Sequence, residues 1–376
     1  MSLLSDDQKM LQETAASFLG QEGSIAKQLR HWRGIGCKDG FGHELWKQFG
    51  ELGLNGICIP ESHGGLGLGA TEAALLLEEI GRNLTPSPFL ATAVAGARAI
   101  EGTAHGDRWF PGILSGEAVL ALAVDEGPRH SPERTALEAK RQGNGFVLNG
   151  AKQFVAQGAS ADMIVTAART GGSPGERDGI TLFAVPKDAS GLAIQSEALV
   201  DSSKGARLTF DGVELDADAA IGEVDGGWLL LSRALNAGSA GAAAELVGVA
   251  SGASAMTLDY LKQRKQFGKL IGEFQALQHR AAHLYSEIEI ARAAALKAAQ
   301  LLDSGNADAE LHVAVAKAKA ADVANLAVRE GVQMHGGIGM TDEHDIGLYM
   351  KREAVLGQLF GDVHYHRERV AQLSGY

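Results

Sequence analysis

Residues 260–268 of this chain read Tyr-Leu-Lys-Gln-Arg-Lys-Gln-Phe-Gly, and residues 271–279 read Ile-Gly-Glu-Phe-Gln-Ala-Leu-Gln-His. This arginine motif spans a predicted helix end, a turn and the start of the next helix. One interpretation is structural, because basic residues at a helix C-terminus complement the helix dipole. The other is functional, because the guanidinium of Arg264 is a fixed fork of donors that suits a diphosphate, and the motif's glutamines would add uncharged hydrogen bonds.

A second motif, which we call the glycine motif, follows a long helical pattern. Residues 333–341 read Gln-Met-His-Gly-Gly-Ile-Gly-Met-Thr. Glycines let a backbone approach a ligand closely and present its N–H groups. A glycine C-cap between two helices is the structural alternative, and a lone Gly-Gly-x-Gly does not decide between the two.

The sequence around both motifs has the periodicity of long helices. Apolar residues recur at steps of three and four in residues 246–260, 277–302 and 313–327. A narrow, alanine-rich stripe of this kind is typical of an antiparallel helix bundle. The N-terminal third is also helical in pattern, and Ser5 is a predicted cap for its first helix.

The middle of the chain has the pattern of short strands. Apolar runs occur at residues 119–124, 145–148, 153–155, 163–165, 180–185 and 207–210. Two dipeptides, Asn149-Gly150 and Asp211-Gly212, are suited to tight hairpin turns, so we predict a small antiparallel β-domain.

The predicted fold class is therefore α+β. We expect an N-terminal helical domain over residues 1–117 and a middle antiparallel β-domain over residues 118–222. A C-terminal four-helix bundle is expected over residues 223–376, and two or three domains are usual for a chain of this length.

Composition excludes several classes of function. The formal net charge of -12 disfavours nucleic acid or an anionic membrane as a partner. Two cysteines, Cys37 and Cys58, indicate neither a disulfide framework nor a cysteine-based zinc site. The N-terminus lacks the basic and apolar regions of a secretory signal, and we expect no membrane span, so the predicted location is the cytoplasm.

Taken together, the two motifs resemble the C-terminal signature of the acyl-CoA dehydrogenase superfamily. The resemblance extends along nearly the whole chain. Residues 60–67, Pro-Glu-Ser-His-Gly-Gly-Leu-Gly, resemble a segment of that family's N-terminal domain. Residues 150–158, Gly-Ala-Lys-Gln-Phe-Val-Ala-Gln-Gly, resemble the strand of its β-domain that covers the flavin.

The resemblance implies a flavoprotein that binds FAD between the β-domain and the helix bundle and oxidises an acyl-CoA. A carboxylate base would remove the α-proton while the β-hydride passes to the flavin, and an electron-transfer flavoprotein-like acceptor would reoxidise it. The assembly would be a homo- or hetero-tetramer, and the pathway fatty acid or steroid side-chain degradation. The implied cofactor-binding residues are Arg264, Gln266, Phe267 and Gln275 across a subunit interface, Gln333, Gly336 and Gly337 at the diphosphate, Phe154 against the isoalloxazine ring, and Ala156 beside it.

This sequence departs from the family at the positions that carry the chemistry. The usual base is a Glu whose position is taken here by Gly361, and a second family location for the base falls on Gly238. Ala156 replaces a flavin-binding Thr, and Val124 replaces another. The family's Gly-Ser-Asp stretch, which helps to seat the acyl-CoA, has become residues 128–131, Pro-Arg-His-Ser.

Two carboxylates are candidates for the catalytic base. Asp362 lies one residue beyond the usual position, and a surface or helix-capping role is its alternative. Glu245 lies among small apolar residues, where burial would raise the pKa of a carboxyl as a general base requires, and pairing with a structural Arg or Lys is its alternative. His364 and His366 near Asp362 have no further ligand pair, so no metal is predicted.

Three functions remain open at this point. The first is an acyl-CoA dehydrogenase with an atypical base. The second is a non-catalytic subunit that completes the FAD site of a heteromeric enzyme, because residues 359–367 also resemble the C-terminus of the small or partner subunits of heteromeric acyl-CoA dehydrogenases. The third is a flavin monooxygenase of the same fold, which nothing in the sequence favours.

Overall fold

The computed structural model describes residues 4–376. In this part of the chain a π-helical segment, Leu90–Gly96, precedes α5. The α-helices are α1 (Asp6–Gln21), α2 (Leu29–Gly34), α3 (His43–Glu51), α4 (Ala70–Asn83), α5 (Ala97–Ile100), α6 (Ala104–Leu114), α7 (Trp228–Gln263), α8 (Gln275–Asp303), α9 (Ala309–His335), α10 (Ile346–Leu356) and α11 (Val363–Leu373). The strands are β1 (Leu120–Ala123), β2 (Glu138–Gln142), β3 (Gly145–Ala156), β4 (Met163–Arg169), β5 (Ile180–Pro186), β6 (Leu192–Ala198), β7 (Lys204–Leu215), β8 (Ala220–Ile221), β9 (Lys265–Gln266) and β10 (Lys269–Leu270).

The helical, β, helical order along the chain confirms the predicted fold class. Contacts group the chain into two compact units. The helical unit consists of the described residues up to His31 together with Ala70–Pro86 and Ser239–Tyr376. The mixed unit consists of Trp32–Gly69 and Ser87–Gly238.

The mixed unit is built on an eight-stranded sheet with the order β6-β7-β3-β2-β4-β5-β8, and β1 pairs with β4. Most neighbouring strands are antiparallel, as predicted. However, β1 pairs with β4 in parallel from Leu120↔Met163 to Ala123↔Thr166, and β2 meets β4 in parallel at Glu138↔Arg169. The sheet is therefore mixed, because β4 runs parallel to both β1 and β2.

Both predicted hairpin turns are wrong. Asn149-Gly150 lies inside β3 and Asp211-Gly212 lies inside β7, and these strands pair with each other. The register shifts between Leu148 and Gly150, and the Asn149 side chain accepts a hydrogen bond of 2.9 Å from the Gly212 backbone N–H. The turn-forming residues thus form a β-bulge, which needs the same positive φ angles as a tight turn.

The helical unit buries the predicted stripes of α8 and α9. In α8 the buried residues include Leu284, Ile288 and Ala291, and in α9 they include Val313 and Ala320. These alanine-rich faces let the two helices pack closely, which confirms the bundle predicted from their periodicity.

A still closer contact joins α4 to α7. A Cβ built on Gly81 would lie 2.1 Å from the carbonyl oxygen of Glu245, and one on Gly248 would lie 1.9 Å from that of Glu78. Only glycine therefore fits at this crossing. By length and composition α7 is the one helix in residues 4–376 that passes as a candidate membrane span, but 78% of its most apolar window is buried, as in a core helix.

The C-terminal region is helical, as predicted, and the structure adds a detail to the four-helix expectation. Three helices are long, and the expected fourth is divided into α10 and α11. A turn over residues 357–361 separates them, and within it Phe360 and Gly361 have φ angles of 58° and 102°. These angles are incompatible with an α-helix. Helix α10 therefore ends at Leu356, and α11 begins at Val363.

Candidate functional site

The arginine motif forms a small hairpin between α7 and α8. Gln266 pairs with Lys269, and the two residues between them, Phe267 and Gly268, have φ angles of 53° and 81°. This is the conformation of a tight two-residue turn, and it projects Phe267 so far that 92% of its surface is exposed. Its ring packs edge-on against that of Phe274, with centroids 6.2 Å apart.

Every cofactor-binding residue predicted in the two motifs lies at the surface of the helical unit. They are Arg264, Gln266, Phe267, Gln275, Gln333, Gly336 and Gly337. Within residues 4–376 no carboxylate lies at ion-pair distance from Arg264, whereas most arginines of the helical unit have such a partner. Its charge is thus free to bind an anion.

The structure brings the arginine and glycine motifs together. Leu261, Ile271 and Met334 form one buried cluster, against which Tyr260 and Phe274 pack. The two motifs, separate in sequence, are therefore parts of one surface.

The glycine motif leaves open space where a ligand would approach. Gly336 has a φ of 66°, and a Cβ built on Gly336 or Gly337 meets no atom within 4 Å. By contrast, a Cβ on Gly339 would lie 2.7 Å from the carbonyl oxygen of Val332. The first two glycines leave room outside the protein, and the third allows tight packing within it.

His335, which begins this turn, is buried and packs against both Tyr260 and His344, with ring centroids 4.4 Å away in each case. Its Nδ1 lies 2.7 Å from the carbonyl oxygen of Gly331, an acceptor, so Nδ1 carries the proton. Burial lowers the pKa of His335, so the ring is neutral at pH 7. It therefore joins the two motifs by stacking and adds no charge.

In the mixed unit, Phe154 lies in a strained stretch of β3. The register with β7 shifts between Lys152 and Val155, and Phe154 and Gln157 have φ angles of 54° and 60°. Non-glycine residues in the left-handed region are uncommon and occur often at functional sites. The strain lies at the residue predicted to contact the flavin ring, and Ala156 is half-buried beside it.

Sequence reasoning missed two basic residues that hold the neighbouring loop. Lys152 is fully buried, and its Nζ donates to the carbonyl oxygen of Val124 at 2.9 Å and to Glu126 at 2.7 Å. Burial lowers the pKa of Lys152, against the opposing effect of Glu126. Glu126 also accepts from the backbone N–H groups of Ala136 and Leu137, so it ties the loop to β3.

Arg169 is the second of these residues. Its guanidinium donates to the backbone carbonyls of Glu133 and Thr135 and, on the other side, to those of Glu176 and Asp178. Burial lowers the pKa of Arg169, but the group stays charged. A lone basic residue within an apolar strand was the available signal for both Lys152 and Arg169.

The loop so held lines an open pocket of about 490 Å³. Two exposed arginines, Arg129 and Arg134, line it, and neither has a carboxylate at ion-pair distance within residues 4–376. The other lining residues are Val124, Glu126, Gly127, Pro128, Ser131 and Thr135. The stretch that departs from the family's Gly-Ser-Asp therefore forms a cationic pocket.

The two candidate bases have different surroundings. Glu245 is buried in α7, and Arg352 of α10 donates to it from Nε at 2.8 Å. A guanidinium so close stabilises the carboxylate form, which makes a carboxylate a weaker base. Asp362 is half-buried and caps α11 by accepting from the backbone N–H of Tyr365 through one oxygen, Oδ1, at 2.8 Å.

Position 361, where the resemblance predicts the family's usual base, has no room for a side chain in this conformation. Gly361 has a φ of 102°, and a Cβ there would lie 2.4 Å from Cδ1 of Tyr365. The second family position, Gly238, is buried in α7. Across residues 4–376 no group of three His, Cys, Asp or Glu is arranged to hold a metal ion, and His366 instead donates from Nε2 to the carbonyl oxygen of Phe360 at 2.9 Å.

Comparison with known proteins agrees with this arrangement along nearly the whole chain. The family model for the acyl-CoA dehydrogenase N-terminal domain matches residues 5–117, that for the middle domain matches residues 129–213, and that for the C-terminal domain matches residues 225–374.

Individual relatives are similar over comparable lengths. Acyl-CoA dehydrogenase FadE12 of Mycobacterium tuberculosis is 31% identical, over 92% of this chain and 90% of its own. Cyclohex-1-ene-1-carbonyl-CoA dehydrogenase of Geobacter metallireducens is 32% identical, over 83% of this chain and 84% of its own. Among solved structures, a variant of the Tcur3481-Tcur3483 steroid ACAD superposes with a TM-score of 0.88 at 30% identity, over 98% of both chains.

Proposed function

This chain belongs to the acyl-CoA dehydrogenase family, and from that premise we propose that it binds FAD and catalyses the α,β-dehydrogenation of an acyl-CoA thioester. One observation carries the proposal: the arginine and glycine motifs form one surface on which Arg264 is unpaired and the backbone at Gly336 and Gly337 is open. A guanidinium without an ion-pair partner, on the same surface as glycines that let a ligand come close to the backbone, suits a diphosphate.

The residues of this surface fit the cofactor's diphosphate end. Arg264 would supply charge-assisted hydrogen bonds, and the glutamines Gln266, Gln275 and Gln333 would supply neutral ones. Gly336 and Gly337 fit because a Cβ at either position would occupy the space that they leave open. In the mixed unit, Phe154 would contact the flavin ring, with Ala156 beside it.

The chemistry would divide between cofactor and protein. When bound, FAD supplies the acceptor for the hydride that leaves the substrate β-carbon. The chain's own residues would orient the thioester and accept the α-proton. Of the two candidate bases, we propose Asp362, because Arg352 occupies Glu245, whereas the hydrogen bond to Tyr365 engages only one oxygen of Asp362.

A second function has a specific observation in its favour. Gly361 and Gly238 leave both family base positions without a carboxylate, and Gly361 is closed to any side chain. The alternative is therefore a partner subunit that completes the FAD site of a heteromeric enzyme whose other chain supplies the base.

The proposal extends to setting and substrate. We infer a tetramer, homomeric or heteromeric, that works in the cytoplasm and passes electrons to an electron-transfer flavoprotein-like acceptor. We propose a large or cyclic acyl group as the substrate and fatty acid or steroid side-chain degradation as the pathway. The names of two similar proteins support this, one a cyclohex-1-ene-1-carbonyl-CoA dehydrogenase and the other a steroid ACAD.

One experiment separates these functions. The visible absorption spectrum of the purified chain is recorded before and after adding a panel of acyl-CoA thioesters. An enzyme acting alone is yellow and is bleached by its substrate. A partner subunit is nearly colourless alone and gains flavin and turnover when co-expressed with a related chain that has a carboxylate at the usual base position. A protein that stays colourless in both cases would rule out FAD binding.

A further inference from the structure

Lys317 is the most deeply buried cation of the helical unit, and the assigned functions leave it unexplained. It lies in the middle of α9, on the apolar face that carries Val313 and Ala320, and none of its surface is exposed. A lysine is almost never fully buried without partners that justify the loss of its hydration.

The partners of Lys317 are two backbone carbonyls at the two ends of one turn. Its Nζ donates to the carbonyl oxygens of Gly357 and Gly361, at 3.0 Å each. The carbonyl between them, that of Phe360, accepts from Nε2 of His366 at 2.9 Å. Three of the five carbonyls of the turn 357–361 are thus held by side-chain donors, where a helix would hold them by backbone N–H groups.

The turn needs this support because its backbone is strained. Phe360 has a φ of 58°, which a non-glycine residue adopts only when its surroundings impose it. The carbonyl of Gly361 belongs to the peptide bond that leads directly into Asp362, the N-cap of α11. The hydrogen bond from Lys317 that fixes this carbonyl therefore also fixes the backbone position of Asp362.

We propose that Lys317 is a positioning residue for Asp362, holding the strained turn 357–361 in the conformation that presents the carboxylate. This inference rests on the proposed role of Asp362 in proton transfer. Lys317 itself touches neither substrate nor cofactor in this account. It acts through two backbone hydrogen bonds, which a neutral amine can still donate.

The proposal gives the turn a definite dependence on pH. Burial lowers the pKa of Lys317 to about 7, against the opposing effects of Asp362 and Glu353. In the closed turn the side chain therefore loses its proton near neutrality, whereas in an opened, hydrated turn it would keep the proton to about pH 10.5. Because the open form binds more protons between these values, closure becomes more favourable as pH rises through 7 and less favourable as it falls.

Three other titratable groups lie around the turn 357–361. Glu353 of α10 is itself buried, which raises its pKa, and it accepts from Asn325 at 3.3 Å with Arg329 nearby. His366 of α11 holds its own carbonyl, and Asp362 lies at the end of the turn.

Hydrogen–deuterium exchange of the full chain tests the proposal without substrate. The readout is the protection of amides in residues 357–362, corrected for the pH dependence of intrinsic exchange, between pH 6 and pH 9. In the wild type we expect protection to rise above pH 7 by up to about tenfold per pH unit. In Lys317→Met this slope should disappear and protection at pH 9 should fall, because the two carbonyls lose their donor.

Lys319→Met is the matched control, because it makes the same substitution in the same helix two residues away. Lys319 pairs with Glu287 of α8 and does not contact the turn, so this variant should keep the wild-type slope. Equal slopes in the wild type and Lys317→Met would overturn the proposal. If Lys317→Met does not fold, the wild-type slope decides, and its absence overturns the proposal equally.

Turnover gives a second readout that separates this proposal from the function on which it rests. In Lys317→Met, kcat with a bleaching acyl-CoA should fall at least tenfold while KM changes less than threefold, because Asp362 is displaced and the thioester contacts are not. An unchanged kcat overturns the positioning role. The wild type could show the pH dependence of amide protection but no turnover with any partner. This result would refute the proposed function, whereas the role of Lys317 in holding the turn would remain supported.

Discussion

Glycine has opposite roles in two regions of the helical unit that both contact α9. In the glycine motif, at the end of the helix, Gly336 and Gly337 face open space, with no atom within 4 Å of an added Cβ. In the turn beside Lys317, Gly361 is closed against the ring of Tyr365, 2.4 Å from an added Cβ. The first region has room for a ligand, whereas the second is filled by a side chain of the protein itself.

The difference teaches which family properties this chain retains. The open region keeps the residues that the resemblance assigns to the diphosphate, and their exposure leaves them available. In the closed region the resemblance places the family's usual base at Gly361, and Tyr365 fills the space that a side chain would take there. A Glu at position 361 would not fit without rearrangement.

The largest effect should come from Asp362, on which the proposed chemistry of the closed region depends. Asp362→Asn keeps an N-cap as good as Asp, so we expect the free energy of unfolding to change by less than about 0.5 kcal/mol. Loss of a general base should lower kcat by about 100-fold or more. Stopped-flow bleaching of the flavin by acyl-CoA measures this. Unchanged bleaching of the chain alone would make Asp362 a cap alone and would require another base. Unchanged bleaching seen only when the chain is co-expressed with a related chain would favour the partner-subunit function.

The next effect concerns Glu245, which we expect to be structural. Removing one member of a buried ion pair leaves the other charge uncompensated, so Glu245→Gln should destabilise the chain by about 3 kcal/mol, measured by urea unfolding. The double variant Glu245→Gln with Arg352→Met should recover part of this loss, because no unpaired charge remains. A stable Glu245→Gln with abolished bleaching would instead identify Glu245 as the base.

The sequence predicts one of the two regions better than the other for a physical reason. The open region depends on residue types at fixed spacing, such as Arg264 and the glycines from Gly336, so a motif reveals it. The closed region depends on contacts between residues far apart in the chain, such as Lys317 with the carbonyl of Gly361. No local pattern reports such a contact, although a lone lysine on an apolar helix face was a signal.

The same distinction explains the errors in the β-domain. Asn149-Gly150 and Asp211-Gly212 correctly indicate positive φ angles, but the sequence does not say which strands pair. The order β6-β7-β3 places the two dipeptides opposite each other, so the local preference was satisfied in a bulge and no turn was formed. The helices were easier to predict, because α8 and α9 bury stripes that are visible at steps of three and four.

A smaller effect should follow from filling the closed region. Gly361→Ala places a side chain at a φ of 102° and against Tyr365, which should cost about 1–3 kcal/mol of stability in urea unfolding. Tyr365→Leu in the same chain should recover the part that comes from the ring and leave the part that comes from the backbone. If Gly361→Ala is as stable as the wild type, the turn adopts another conformation. The turn would then not be closed to a side chain, in contrast to what we infer from the structure.

The smallest effect should appear in the open region, where Gly337→Ala separates ligand binding from folding. A methyl group at Gly337 meets no protein atom, and its φ is not in the left-handed region, so the flavin-free chain should be as stable as the wild type or slightly more stable. The same methyl group would intrude on the cofactor, so we expect FAD affinity to fall by about threefold to tenfold, measured by quenching of flavin fluorescence. Gly20→Ala in α1 is the matched control, because a Cβ there also meets open space, and it should leave FAD affinity unchanged. If Gly337→Ala binds FAD as tightly as the wild type does, the open space is not the diphosphate site, and exposed glycine alone would no longer distinguish this region from the closed turn at Gly361.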